Sequence, residues 1–245
     1  MKLLSLICGI ILFFLLPLQT ENREAIAQEA SLESASISGT VTLPTSSSSS
    51  SRQFRGAAYR NRGNSSASSQ NSSDSNPYIN TIVSAHPVSF SIDNLPTSDS
   101  VQIIQKNAVF IPQVTPVTIG STVQFVNSDS FYHNVFSLTP GARFNIGRRK
   151  TGDVYSKEVP ALEWKVSGLG PIDLFCDIHS QMNAIILSLD TPYFTRVNED
   201  GTYTLNNLPE GTYELRGYNR NTELYTQRIS IDENEQHQLN LNLVN

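Results

Sequence analysis

Sulfur is scarce in this 245-residue chain, which has two cysteines and two methionines. Met1 and Cys8 lie in the N-terminal segment, so removal of that segment would leave only Cys176 and Met182. A single remaining cysteine excludes an internal disulfide framework. Charge is also sparse. Charged residues make up 16% of the chain and the formal net charge is −5, which argues against a nucleic-acid partner. No long amphipathic helical period follows the N-terminus. Short apolar alternations broken by Pro, Gly, Asn and Asp dominate, and they predict an all-β protein.

The first segment, 1–27, reads as a signal peptide. Lys2 supplies the positive charge, Leu3 to Leu16 form an apolar run, and Ala25-Ile26-Ala27 is a small-x-small cleavage site. The run is shorter than the roughly 20 apolar residues a membrane span needs. Glu21 and Glu24 are unusual before such a site, and retention as an anchor is the alternative. The expectation is a periplasmic or extracellular protein with no stable membrane insertion after cleavage. Exported compartments are oxidising. There, Cys176 would be a buried inert residue, a reactive thiol or a metal ligand.

Ile37 to Pro44 reads as a first strand. Residues 45–76 contain thirteen serines and little to bury, so a disordered Ser-rich insertion is expected. Arg52, Arg55, Arg60 and Arg62 make that tract locally basic. Strands are then expected at Pro87–Ile92, Val101–Ile104, Val114–Ile119, Thr122–Asn127, His133–Leu138, Leu174–Cys176 and Ala184–Leu189. After Pro192, turns at Asn198-Glu199-Asp200-Gly201 and Leu208-Pro209-Glu210-Gly211 separate further strands at Thr202–Leu205 and Thr212–Tyr218. Ile229–Ile231 and Leu239–Val244 complete the set.

The two sulfur residues lie six apart, in Cys176-Asp177-Ile178-His179-Ser180-Gln181-Met182. A thiolate, an imidazole and a thioether at this spacing suit copper, because soft sulfur ligands favour it. Zinc could use the same cysteine and histidine but rarely takes a thioether. A fourth ligand would come from elsewhere in the chain. The other histidines are His86, His133 and His237. His86 beside the flexible tract and His237 in a polar turn read as solvated, whereas His133 lies between two strand candidates.

At this point the chain resembles the cupredoxins, the blue-copper β-sandwich proteins. The resemblance covers Val101 to Leu189. It rests on Phe110-x-Pro112, Val117-x-x-Gly120-x-x-Val123-x-Phe125-x-Asn127, His133-Asn134-Val135 and the Cys176–Met182 loop. The short loop looks most like that of amicyanin. The His133–Ser137 stretch and Thr191-Pro192-Tyr193-Phe194 are similar to methylamine-utilisation-type cupredoxins. The resemblance implies a Greek-key β-sandwich over 99–190 and one type 1 copper ion. By analogy His133, Cys176 and His179 would be equatorial ligands and Met182 axial. Asn134 would steady the ligand loop and hydrogen-bond near the Cys176 sulfur. Phe136 and Phe175 are candidates for a dry shell or for ordinary core aromatics. One-electron transfer to a redox partner protein follows, without enzymatic turnover. Arg143 and Arg148-Arg149-Lys150 are a docking patch or, as we favour, a solvated hairpin tip.

Asp200-Gly201-Thr202-Tyr203-Thr204-Leu205 and Leu208-Pro209-Glu210-Gly211-Thr212-Tyr213-Glu214-Leu215 are similar to carboxypeptidase-regulatory-like, prealbumin-type modules. Their usual opening strand occurs at Ser38-Gly39-Thr40-Val41 instead. A discontinuous second small β-sandwich is therefore expected, from 36–44 and 86–98 plus 191–245, with the cupredoxin inserted in it. Two other functions compete with electron transfer. One is copper handling in the envelope without a redox partner, and the other is a structural or adhesive β protein without metal.

Overall fold

The computed structural model describes residues 34–44, 76–162 and 170–244. The expectations for 1–27 and 45–75 lie outside these residues. Among the described residues there is no α-helix, and the chain is all-β. No helix among them is long and apolar enough to cross a membrane.

Four sheets stack in layers. The first pairs β3 (Val101–Lys106), β4 (Val109–Ile111), β6 (Thr122–Asn127) and β9 (Val154–Glu158) in the order β4-β3-β6-β9. The second runs β5-β11-β10-β7-β8. Its strands are β5 (Val114–Thr118), β7 (Phe136–Ser137), β8 (Phe144–Asn145), β10 (Gly170–Phe175) and β11 (Asn183–Leu189). In β6 the residues alternate, so Val123, Phe125 and Asn127 face inward. Val123 and Phe125 meet Ile172 and Leu174 of β10 and Ala184 and Ile186 of β11 in one core. Each Val, Leu, Ile or Phe side chain fully buried there contributes about 1.5–3 kcal/mol.

The third sheet is ordered β12-β2-β14-β15, with β2 (Thr81–Pro87), β12 (Phe194–Arg196), β14 (Gly211–Asn219) and β15 (Thr222–Ile231). The fourth surrounds β1 (Ala35–Thr42), which pairs with β13 (Thr202–Leu208), β16 (Gln236–Gln238) and β17 (Leu241–Asn242). Val83 and Ala85 of β2 and Tyr213 and Leu215 of β14 pack against Ile37, Tyr203 and Leu205 of this sheet. A third core joins the two halves, where Ile82 of β2 and Tyr218 of β14 meet Ile185, Leu187 and Leu189 of β11.

β2 and β11 are therefore buried on both faces. This explains a difference from the expected strand at Pro87–Ile92. The strand is Thr81–Pro87 instead, with six consecutive buried residues and no alternation to mark it. After Pro87 the chain bends away, and Val88 is exposed. His86 is not solvated. It is buried, with Nε2 2.8 Å from Ser84 Oγ and Nδ1 2.7 Å from Asp190 Oδ1, across the junction between β2 and the end of β11. His237 lies in β16 beside Glu235, with Nδ1 2.7 Å from its Oε1.

Candidate metal centre

The β10–β11 hairpin carries Cys176, His179 and Met182 in its loop. Full pairing from Gly170↔Ser188 to Phe175↔Asn183 fixes the two ends of that loop. Inside it, Met182 N donates to His179 O at 3.0 Å, which tightens the turn. His133 arrives from the other side of the core. Strand β7 reaches β10 through Phe136↔Phe175, setting the segment before Phe136 beside Cys176. The expected strand His133–Leu138 is shorter than its apolar pattern implies. Only Phe136–Ser137 is regular, and His133 forms an isolated bridge with Arg149.

Three donor atoms converge. Cys176 Sγ lies 3.9 Å from His133 Nδ1 and 3.8 Å from His179 Nδ1, and the two nitrogens are 3.1 Å apart. A point in the plane of this triangle lies about 2.1 Å from all three atoms, close to the roughly 2.0–2.3 Å that zinc keeps from imidazole nitrogen and thiolate sulfur. His133, Cys176 and His179 form the one group of three or more such side chains among the described residues able to hold a metal ion this way. Met182 is buried in the same core as Cys176. The cluster is thus capable of holding one copper ion, and the buried thioether favours copper over zinc. His133 is fully buried, Cys176 and Met182 nearly so, and His179 is half-buried.

Each imidazole is oriented differently. His133 Nε2 is 2.7 Å from Asp129 Oδ2, so with Nδ1 turned to the cluster we assign the proton to Nε2, which donates to the carboxylate. Asp129 also accepts from Asn107 N at 2.6 Å and Ala108 N at 2.9 Å, at the β3–β4 turn. Burial alone would raise its pKa. The hydrogen bonds from Ala108, His133 and Asn107 outweigh burial and hold the carboxyl below its ordinary value. His179 shows no hydrogen bond at Nε2 among the described residues. Instead the Phe131 ring lies 5.2 Å from its centroid.

Asn134 sits behind the loop. Its Oδ1 accepts from Asp177 N at 2.8 Å, holding the residue next to Cys176, and its Nδ2 faces Asn145 Oδ1 at 3.4 Å. Phe136 and Phe175 pair at 5.7 Å, but Phe175 is 37% exposed, so the pair does not seal the site. Val135 and Ile146 are buried in the core that holds Cys176 and Met182. The basic segment is no detached hairpin tip. Arg149 exchanges backbone hydrogen bonds with His133, and its guanidinium lies over Tyr155 and donates to Ile146 O. Arg148 and Lys150 are exposed beside it.

Asp129 and Phe131 carried no sequence signal of their own. The available cue was Asn127-Ser128-Asp129, a segment apt to turn back on itself. Asn127 Oδ1 accepts from Asp129 N at 2.9 Å, while its Nδ2 donates to Phe131 O at 2.9 Å and Arg149 O at 3.0 Å. This one buried amide shapes the loop that brings both residues to the imidazoles.

No protein-family model matches the chain, and no characterised protein matches it by sequence. Solved structures do. A purple cupredoxin from Nitrosopumilus maritimus is 22% identical, with 36% of this chain and 99% of that one covered and a TM-score of 0.30. The oxidised P96G mutant of amicyanin is 17% identical over 43% of this chain and 92% of that one, with a TM-score of 0.32. The copper-containing nitrite reductase of Thermus scotoductus SA-01 is 23% identical over 42% of this chain, with a TM-score of 0.33, but only 25% of that chain is covered.

Proposed function

We propose that the chain is a type 1 copper protein that carries single electrons through His133, Cys176, His179 and Met182. The observation that carries this reading is the triangle of two imidazole nitrogens and one thiolate sulfur, beside the one buried thioether of the described residues. A copper ion held there supplies the Cu(II)/Cu(I) couple. The chain's own residues supply constancy of geometry. The paired ends of the β10–β11 hairpin, the Asn134–Asp177 hydrogen bond and the Asp129–His133 contact hold the donors in place before any ion arrives. Ligands that need not move when the charge changes favour fast transfer.

The surroundings of His179 support transfer to a protein partner. Phe131, Tyr132, Ile178 and Phe175, from the loops and strand end around the site, are large side chains at least 37% exposed. An apolar surface beside a half-buried ligand suits a transient redox encounter better than a catalytic cleft. The reading includes export, with the protein acting in the periplasm or outside the cell. It also treats segments 36–44, 86–98 and 191–245 as a discontinuous accessory module of the carboxypeptidase-regulatory type.

The test is to add one equivalent of Cu(II) to the full chain and record optical and electron paramagnetic resonance spectra. An intense visible thiolate-to-copper absorption is expected. Copper bound without that absorption, or not bound, overturns the assignment. A copper-handling role would show the absorption but no fast oxidation and reduction with candidate partner proteins.

A further inference from the structure

The two imidazoles of the cluster are held by unlike means. His133 is fixed from behind by the Asp129 carboxylate. His179 has no such anchor among the described residues, yet its Nδ1 is aimed at the cluster, 3.8 Å from Cys176 Sγ. The Phe131 ring touches both. Its centroid lies 5.0 Å from that of His133 at 62° and 5.2 Å from that of His179 at 58°, and the two imidazoles are 4.7 Å apart at 59°. These separations lie within the range for favourable aromatic contact.

Phe131 is also 43% exposed, so one part of the ring meets water while another covers the imidazoles. Its backbone does not drift. Asn127 Nδ2 grips the Phe131 carbonyl, and Thr151 Oγ1 donates to Asp129 O at 2.6 Å two residues earlier. A pinned, partly exposed aromatic ring over the half-buried ligand is poorly explained as core packing.

We infer that Phe131 is a positioning residue that orients the His179 ring in place of a hydrogen bond and shields the donor triangle from small external ligands. The inference rests on the copper reading above. Two consequences follow from the geometry. Removing the ring frees His179 to turn about its side-chain bonds, even without metal. It also opens a route from solvent to an ion held between the imidazoles.

The experiment compares the full wild-type chain with Phe131→Ala and Phe131→Leu. In the metal-free proteins, the His179 ring resonances are followed by nuclear magnetic resonance. In the copper-loaded proteins, azide is titrated while the optical and paramagnetic resonance spectra are recorded. Phe131→Ala should broaden or shift the His179 resonances and bind azide about tenfold more tightly than wild type, the fold-change equivalent to the upper end of what one aromatic contact contributes. Phe131→Leu keeps apolar cover but loses the flat ring, so it should disturb His179 while still excluding azide. If His179 resonances and azide response are the same in all three proteins, the inference is overturned, although the copper reading stands. If wild type itself shows no thiolate-to-copper absorption, the copper reading fails first. Should Phe131→Ala not fold, an undisturbed His179 ring in Phe131→Leu overturns the inference alone.

Discussion

Replacing Asp129 by asparagine tests how the site is held together. The carboxylate is 7% exposed and accepts three hydrogen bonds, from Asn107 N at 2.6 Å, Ala108 N at 2.9 Å and His133 Nε2 at 2.7 Å. Asparagine keeps the shape but offers one acceptor oxygen. If that oxygen serves Ala108 and His133, the amide NH2 faces the Asn107 N–H, donor against donor. One buried donor left unsatisfied and two charge-assisted bonds made neutral together cost about 2–4 kcal/mol. Denaturant unfolding of the metal-free protein at pH 7 measures this as a lower midpoint at unchanged slope.

The pH dependence provides an independent check with a definite sign. The folded-state pKa of Asp129 is depressed. Its contribution is therefore complete above the unfolded carboxyl value of about 4 and is lost as pH falls toward the folded value. The gap between wild type and Asp129→Asn should be widest near neutrality and shrink below about pH 4. Copper affinity should drop about 10- to 100-fold, because His133 loses its orienting acceptor. A gap under about 0.5 kcal/mol, or one equally large at pH 7 and pH 3, refutes the reasoning, since surface substitutions commonly fall within that size.

Gly39→Ala should destabilise by about 3 kcal/mol or more, because the added Cβ would lie 1.9 Å from the Leu239 carbonyl oxygen, a backbone atom that cannot rotate away. A thermal melt near that of wild type would contradict the packing of β1 against the C-terminal segment. Arg196 donates to the carbonyls of Ile79 and Val114, spanning the third sheet and the start of β5. Arg196→Lys offers one compact ammonium in place of the fork and should cost about 1–3 kcal/mol in urea unfolding. An unchanged midpoint would remove the clasp. Met182→Leu should retain the thiolate-to-copper absorption and raise the reduction potential, since loss of an axial sulfur donor disfavours Cu(II). A potential equal to wild type, measured by voltammetry, would show that the thioether does not reach the ion.

Local alternation made some of this legible. β6 matches its expected bounds because one face is buried and the other is not. The ligand loop is where the Cys176–Met182 spacing put it, between two strands. β2 escaped because cores on both sides erase its alternation, while Val88, Phe90 and Ile92 mimic one. His86 looked solvated because it precedes a proline and follows closely on the Ser-rich tract. Its partner Asp190 lies 104 positions away, a pairing no local window contains. In the site, the donors could be found by residue type, but the groups that orient them could not. Asp129 and Phe131 reach the imidazoles only through a loop conformation set by the side chain of Asn127.

The fourth sheet ties the two ends of the described chain together. Ser36 pairs with Gln236 and Val41 with Leu241, both in parallel register. The first strand of the described residues therefore waits for the last. The sheets around the metal centre draw on strands from Val101 to Leu189 and can close earlier. The cost of joining distant segments falls on the outer layer, so assembly should be slow and should end there. A truncated product lacking its final ten residues would keep every metal donor, yet leave an open strand edge on β1. That edge, rather than the copper chemistry, is where such a fragment would begin to associate with its neighbours.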